Sequence, residues 1–245
     1  MLELPDHMIL NVISFLNINE IITLTSLNKQ LSRLNPWNFL SNTYNFSDST
    51  DNPKKAFKSA YLKTRMVPEN ELDIVWGKDP NYWIRNLDTS EFNQKARCRF
   101  TKTCALLQFV WWFEIIGCIR SLNSGTHCAF IRIGKYALTK GLGKNNFECS
   151  VSCDDEKPEP FTLNTTPCKY SPSGFYWIYL GKTTLQKPGI IRFGMKDTSQ
   201  DLKSDILISH VEVLPHDQIS DEQSHATTYG WSFALSPGGA FAQFM

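Results

Sequence analysis

The chain has 245 residues, of which 42% are hydrophobic, and its formal net charge is +1. That length suits one large domain, or a small domain followed by a medium one. No run of Lys or Arg exceeds two residues, which excludes the basic stripe typical of a nucleic-acid-binding protein.

Two further features bear on where the protein works. No stretch approaches the roughly 18 continuous apolar residues that a membrane-spanning helix needs. The N-terminus lacks a basic region followed by a small-residue cleavage site, so we expect no secretory signal. These features predict a cytoplasmic and/or nuclear protein that uses neither a membrane nor a nucleic acid as a partner.

The first forty residues predict two short amphipathic helices. The first covers residues 6–16, and the second ends before Asn35-Pro36, because proline disfavours helix at the residue preceding it. More apolar surface lies on these helices than so small a unit buries, which predicts a docking segment. The apolar positions are Met8, Ile9, Val12, Ile13, Leu16, Leu24, Leu27, Leu31 and Leu34.

A third helix is predicted over about residues 54–65, after a polar loop. The domain boundary is placed near Val67-Pro68. This gives a helical unit over residues 1–66, a β-rich domain over 67–216 and a C-terminal tail over 217–245. The sequence does not decide whether that tail is ordered.

After Glu71 the apolar pattern changes from helical spacing to the alternation of strands. The alternation over residues 72–76 points Trp76 inward. Further strands are predicted over residues 106–119, 127–133, 147–153, 175–180, 190–195 and 206–213. Many short strands without intervening helices predict an antiparallel β-sandwich or jelly roll, and an α+β protein once the N-terminal helices are included.

The seven cysteines do not point to a metal site or a disulfide framework. They include no Cys-x-x-Cys pair and the five His residues are scattered, so buried reduced thiols are predicted. His127-Cys128 and His210 raise the alternative of a Cys–His hydrolase. Adjacent strand residues face opposite ways, however, and no hydrolase, phosphate-loop or zinc-protease motif is present. We predict no catalytic residue, metal or cofactor.

The N-terminal pattern, from Leu4-Pro5 through Asn28-Lys29 to Leu31, resembles an F-box over about residues 2–40. The resemblance implies binding to a Skp-type adaptor and, through it, to a cullin in a ubiquitin ligase. The alternative is that these helices cap the sandwich. The residues expected to bind the adaptor are Leu4, Pro5, Ile9, Ile13, Leu16, Leu24 and Leu27.

Residues 71–215 resemble the phloem protein 2 family of Nictaba-like lectins. The matching segments follow the family's order: Leu-Asp-Ile-Val-Trp at 72–76, Asp-Pro-Asn-Tyr-Trp at 79–83, Val-Trp-Trp-Phe-Glu-Ile-Ile-Gly at 110–117, Trp-Ile-Tyr-Leu-Gly at 177–181 and Val-Leu-Pro at 213–215. The resemblance implies a galactose-binding-like jelly roll that binds N-acetylglucosamine oligomers and N-glycan cores.

Two tryptophans of the opening segment matter in the lectins of that family, and they match Trp76 and Trp83. Sugar rings stack on indole faces, and the indole N–H adds a polar group. Trp83 follows a Pro-Asn turn and is expected to be exposed. Tyr82 and Asp79 are expected to add hydrogen bonds beside it. Trp177 and at least one of the tryptophans at 111 and 112 are expected to be structural.

The sequence also departs from the family pattern. The segment Trp-Lys-x-Gly before the last strand reads Leu202-Lys203-Ser204-Asp205, and Lys182 follows Leu180-Gly181 where an aromatic residue is usual. Loops set specificity on a sandwich, so two predictions stay open. The protein is a substrate receptor of an SCF-type ligase whose sandwich binds glycans on target proteins, or one whose sandwich binds a protein surface without carbohydrate.

Overall fold

The fold is taken from a computed structural model of the chain. The structure describes residues 64–88, 103–121, 124–142, 146–154, 156–164, 175–229 and 231–233. The chain divides into two units, Met1–Thr64 and Arg65–Met245, and the second unit is the one described below. The F-box-like helices and all seven residues expected to bind the adaptor lie outside the described residues.

The described residues of the second unit lie mostly in strands. In those residues one helix, α1 (Asp221–Tyr229), and two short 3-10 turns, Glu69–Glu71 and His216–Gln218, accompany the strands. In chain order the strands are β1 (Met66–Pro68), β2 (Asp73–Ile74), β3 (Trp83–Asp88), β4 (Thr103–Leu107), β5 (Phe113–Ser121), β6 (Gly125–Lys140), β7 (Asn146–Cys153), β8 (Phe161–Asn164), β9 (Phe175–Leu185), β10 (Gly189–Asp197), β11 (Ser204–Pro215) and β12 (Trp231–Phe233).

The strands form two antiparallel sheets, which confirms the predicted antiparallel sandwich. One sheet has the order β12-β9-β6-β11-β4-β3, and β1 also pairs with β11. The other has the order β2-β5-β10-β7-β8. The main core cluster takes side chains from both sheets, among them Ile131 and Ile208 from the first and Phe113, Phe147 and Phe193 from the second.

The single strand predicted over residues 106–119 is wrong. β4 ends at Leu107 in the seven-stranded sheet, and β5 begins at Phe113 in the five-stranded sheet. Residues 108–112 therefore cross from one sheet to the other. Within the crossing only Val110 is buried, whereas Phe109, Trp111 and Trp112 are exposed. A continuous apolar run marks strands in either sheet and gives no sign of where the chain changes sheet.

The predicted alternation holds from Leu72 to Ile74, both of which are buried while Asp73 between them is exposed, but it breaks at Trp76. β2 contains only Asp73 and Ile74, and the N–H of Gly77 donates to the Ile74 carbonyl at 2.8 Å. Trp76 has a φ of 61°, a left-handed conformation that reverses the chain. The turn therefore carries the Trp76 side chain outward instead of into the core.

Part of the predicted C-terminal tail is ordered. α1 follows β11, and the side-chain amide of Gln223 on α1 donates to Glu212 Oε2 on β11 at 2.8 Å. Ala226, also on α1, is fully buried against a cluster that includes Trp177. β12 then pairs with β9 at one end of the seven-stranded sheet. Residues 221–229 and 231–233 therefore extend the β-rich unit beyond the predicted end at residue 216.

The cysteines in the described part of the chain are free thiols. Cys104, Cys128, Cys149 and Cys153 are buried and Cys118 is exposed. Burial raises the pKa of the Cys104 and Cys149 thiols to about 12, so both remain protonated near neutral pH. No described helix has the length and apolar character needed to cross a membrane.

Candidate functional site

Four aromatic rings lie in a row on the two segments that cross between the sheets. Trp76 and Tyr82 belong to the segment between β2 and β3, and Phe109 and Trp111 belong to the segment between β4 and β5. The ring centroids are 5.8 Å apart for Trp76 and Tyr82, 5.5 Å for Tyr82 and Phe109, and 6.3 Å for Phe109 and Trp111. We call these four residues the aromatic row.

The two ends of the aromatic row are its most exposed members. Trp76 is 55% exposed and Trp111 is 56% exposed, and Phe109 between them is 40% exposed. Burying a large aromatic side chain is strongly favourable. A contiguous group of such side chains left in water is a candidate binding surface.

Trp83 does not lie on this surface. Its side chain is only 2% exposed, and its ring packs against Phe113 at a centroid distance of 6.3 Å. The expected exposures of the two tryptophans are thus reversed: Trp76 is outside and Trp83 is inside. The reason is the left-handed turn at Trp76, which a simple alternation of residues does not anticipate. Trp83 is therefore buried, contrary to the expectation that it is exposed.

Trp83 instead holds the turn that carries Trp76. Its indole N–H donates to the carbonyl of Val75, the residue before Trp76, at 3.1 Å. The backbone N–H of Asp79 donates to the Trp76 carbonyl at 2.9 Å. The N–H groups of Tyr82 and Trp83 both donate to the Asp79 carbonyl. These bonds fix the backbone on both sides of the exposed indole.

Asp79 takes part in the same turn through its side chain. Its Oδ1 accepts hydrogen bonds from the backbone N–H and the side-chain amide of Asn81, both at 2.9 Å, which is the arrangement of an Asx turn. Among the described residues no hydrogen bond reaches Oδ2. That oxygen is the part of Asp79 left to accept a bond from a ligand hydroxyl.

Gln108 clamps the two crossing segments together. Its backbone N–H donates to the carbonyl of Tyr82 at 2.8 Å, and its side-chain amide donates to the carbonyl of Pro80 at 2.6 Å. Both bonds join the segment that carries Phe109 to the one that carries Trp76. The two halves of the aromatic row therefore hold a fixed position relative to each other.

A fully buried lysine fixes the other end of the row. Lys203 Nζ donates to the carbonyl of Trp111 and to the carbonyl of Ser199 at 2.9 Å, and it forms an ion pair with Asp197 Oδ2 at 3.2 Å. The backbones of Val110 and Lys203 exchange two hydrogen bonds of 2.8 Å. In the sequence, Lys203 stands out only as part of a segment that departs from the family pattern. The pattern of apolar residues in a sequence does not show that a lysine side chain enters the core.

A cleft of about 500 Å³ lies next to the Trp76 turn and is lined by Gly77, Pro80, Trp83, Arg85 and Asn86, among others. Arg85 Nε donates to the buried Glu69 carboxylate at 2.6 Å. A larger cleft of about 710 Å³ is lined by residues of β7, β8 and β9 and by the loop around Glu156. None of the predicted site residues lines that larger cleft.

The Cys–His alternative does not fit the geometry. His127 Nε2 lies 2.9 Å from Ser121 Oγ and its Nδ1 lies 2.9 Å from the Gly125 carbonyl oxygen. Cys128 packs instead in the cluster that contains Phe130. Burial lowers the pKa of His127 and raises the pKa of Cys128, which opposes formation of a thiolate–imidazolium pair. No three potential metal ligands gather anywhere in the described ranges.

Comparison with known proteins gives one family. The model of the family phloem protein 2 matches residues 62–215, more than half of the chain. No curated protein matches the sequence.

Three solved structures have a similar arrangement over part of the chain. A GH26-CBM35 β-(1,4)-mannanase from Podospora anserina is 12% identical, with a TM-score of 0.34 over 65% of this chain and 29% of that one. A family 35 carbohydrate binding module from Clostridium thermocellum is 8% identical, with a TM-score of 0.31 over 61% of this chain and 98% of that one. The structure of TmCBM61 in complex with β-1,4-galactotriose is 10% identical, with a TM-score of 0.34 over 59% of this chain and 87% of that one. The chain thus spans less than a third of the mannanase, and these TM-scores are too low to support an argument about function.

Proposed function

The chain belongs to the phloem protein 2 family, and from that premise we propose that its β-sandwich is a lectin domain that binds glycans of the N-acetylglucosamine or N-glycan type. The observation that carries the proposal is the aromatic row. A pyranose has an apolar C–H face that stacks on an aromatic ring, and hydroxyl groups that need polar partners. The row supplies the rings, and the turn beside it supplies the polar groups.

Each predicted site residue receives a role in this proposal. Trp76, 55% exposed, is the main stacking surface, and Tyr82 packs beside it at 5.8 Å. Asp79 accepts a hydrogen bond from a sugar hydroxyl through Oδ2. Trp83 acts behind the surface by holding the Val75 carbonyl at 3.1 Å, so it is a positioning residue.

The second part of the proposal concerns the N-terminal segment. We propose that residues 2–40 bind a Skp-type adaptor as an F-box and join the chain to a cullin-containing SCF-type ubiquitin ligase in the cytosol or nucleus. The support is the pattern of apolar residues from Leu4 to Leu34. Full burial of one such side chain contributes about 1.5–3 kcal/mol. The chain would then deliver glycosylated targets to a ligase without performing the transfer itself.

A glycan array tests the lectin function. We expect the wild-type protein to bind N-acetylglucosamine oligomers and N-glycan cores, and the Trp76→Ala variant to lose that binding. Trp112→Ala is the matched control, because Trp112 is similarly exposed at 51% and its indole N–H bonds to Glu114 Oε2 at 3.1 Å. Equal glycan binding by wild type and Trp76→Ala would contradict the assigned site.

The alternative function is the same adaptor role with a protein surface as the ligand. The aromatic row also favours this reading, because Trp and Tyr are enriched in the centres of protein interfaces. The glycan array distinguishes glycan binding from binding to a protein surface. A wild-type protein that binds no glycan but recovers a partner from lysate through Trp76 would support the alternative.

A further inference from the structure

We propose that the aromatic row is one extended site, in which Phe109 and Trp111 form a second subsite beside the Trp76–Tyr82 end. This rests on the proposed lectin function and deepens it. The ligand would be an oligosaccharide chain lying along the row rather than a single terminal sugar. The sequence pattern predicts no ligand contact for either Phe109 or Trp111.

The length of the row is the first argument. Its four rings are separated by three steps of 5.5 to 6.3 Å. A pyranose is a six-membered ring of about the size of one of these aromatic rings, so a single sugar covers one position. Contact with all four rings therefore needs a ligand of several linked sugars.

The orientation of the rings is the second argument. Successive ring planes in the row are inclined by 48°, 69° and 81°. A flat platform for a crystalline polysaccharide would need parallel rings. The inclined rings of the row instead suit a soluble chain whose successive sugar planes are rotated about the chain axis.

The rigidity of the second subsite is the third argument. The backbone of Trp111 is held by the buried ammonium group of Lys203, and the backbone of Gln108 is tied to Tyr82 at 2.8 Å. A binding surface that is already ordered loses little conformational entropy when a ligand arrives. The exposed indole of Trp111 thus sits on a backbone as firmly anchored as that of Trp76.

Titration calorimetry with N-acetylglucosamine dimers, trimers and tetramers tests the proposal on the full-length protein. For the wild type we expect affinity to rise with chain length. Trp111→Ala should bind the dimer like the wild type and bind the tetramer about threefold to tenfold more weakly, the loss of one aromatic contact. Trp76→Ala should weaken binding of oligomers of every length. Trp112→Ala should leave the binding of all of them unchanged.

Two further measurements keep the result unambiguous. Thermal unfolding checks that Trp111→Ala stays folded, and Trp111→Phe, which keeps a ring, should recover part of the tetramer affinity. If Trp111→Ala follows the wild type at every length, or weakens all lengths equally, the second subsite is wrong while the lectin function stands. If the wild type binds no oligomer, both proposals fall.

Discussion

Among the residues with left-handed backbones, Trp76 and Asp205 each explain a local feature of the sandwich. Trp76, with φ 61°, turns its indole out of the sandwich, and Asp205, with φ 57°, lies where β11 shifts register against β6. Side chains beyond glycine adopt this conformation at a cost, least for Asn and Asp. Asp205 occupies the position where the family pattern has glycine. The left-handed conformation at position 205 explains why the family pattern has glycine there and why this chain can have aspartate instead.

Substitution of Asp205 tests this explanation. We expect Asp205→Gly to raise the free energy of unfolding, and Asp205→Ala to lower it, with a difference between the two of about 1–2 kcal/mol. Both variants lose the hydrogen bond from Ser204 Oγ to Asp205 Oδ2 at 3.2 Å. The difference between their free energies of unfolding therefore reports the cost of the backbone conformation alone. Urea unfolding followed by circular dichroism measures it. Equal stability of the Gly and Ala variants would contradict the claim of strain.

At the scale of elements, the crossing segments decide where the site lies. The sequence predicted most of the strands from β5 to β11, because alternation and short apolar runs follow burial directly. It did not predict that β4 and β5 belong to different sheets. It also missed α1. Ala226 is the one fully buried apolar side chain among the residues of α1 whose burial is described, and one position makes no periodic pattern.

For the candidate site, too, the sequence predicted the residues of one segment but not the contact between segments. The sequence placed Trp76, Asp79 and Tyr82 in one segment, and the structure brings them together at one turn. It gave no sign of Phe109 as a neighbour, because the 5.5 Å contact between Tyr82 and Phe109 joins segments that are distant in sequence. Contacts of that kind depend on the paths of both crossings, which no local pattern encodes.

Lys203 holds one of these crossings, so its removal should be costly. We expect Lys203→Met to lower the free energy of unfolding by about 3–5 kcal/mol. Methionine keeps roughly the length of the lysine side chain but removes its charge. The reason is that Asp197, 3.2 Å from Nζ and 4% exposed at its side chain, loses its buried cation. Urea unfolding of the purified variants gives the value.

A matched ion pair on the surface provides the control. Lys196 lies 2.8 Å from Glu148, and both side chains are more than 40% exposed. We expect Lys196→Met to leave stability nearly unchanged, since exposed pairs contribute little. The double variant Lys203→Met with Asp197→Asn should recover part of the loss. Similar losses for Lys203→Met and Lys196→Met would show that the buried pair is not an anchor.

At the scale of the whole molecule, the proposal assigns binding of the target and binding of the adaptor to separate units of the chain. Residues 1–64 and 65–245 form different units, and the adaptor residues and the aromatic row fall in different ones. A change confined to one unit should therefore affect one partner. This separation distinguishes a receptor that connects two partners from a domain whose N-terminal helices only cap it.

The double variant Leu4→Ala with Pro5→Ala tests the separation. We expect it to lose co-purification of a Skp-type adaptor and cullin while binding glycans like the wild type, because each buried apolar side chain contributes about 1.5–3 kcal/mol to docking. That loss corresponds to at least a tenfold weaker complex for each residue. Trp76→Ala should give the converse, with the adaptor retained and glycoproteins lost.

Mass spectrometry of proteins recovered with each variant, from lysate with and without glycosidase treatment, provides the readout. Glycosidase should remove the targets and leave the adaptor and cullin, since only the targets are held through sugar. Unchanged recovery of the adaptor with the double variant would refute the docking role of Leu4 and Pro5. Simultaneous loss of glycan binding in that variant would show instead that the N-terminal segment stabilises the sandwich, as a cap does.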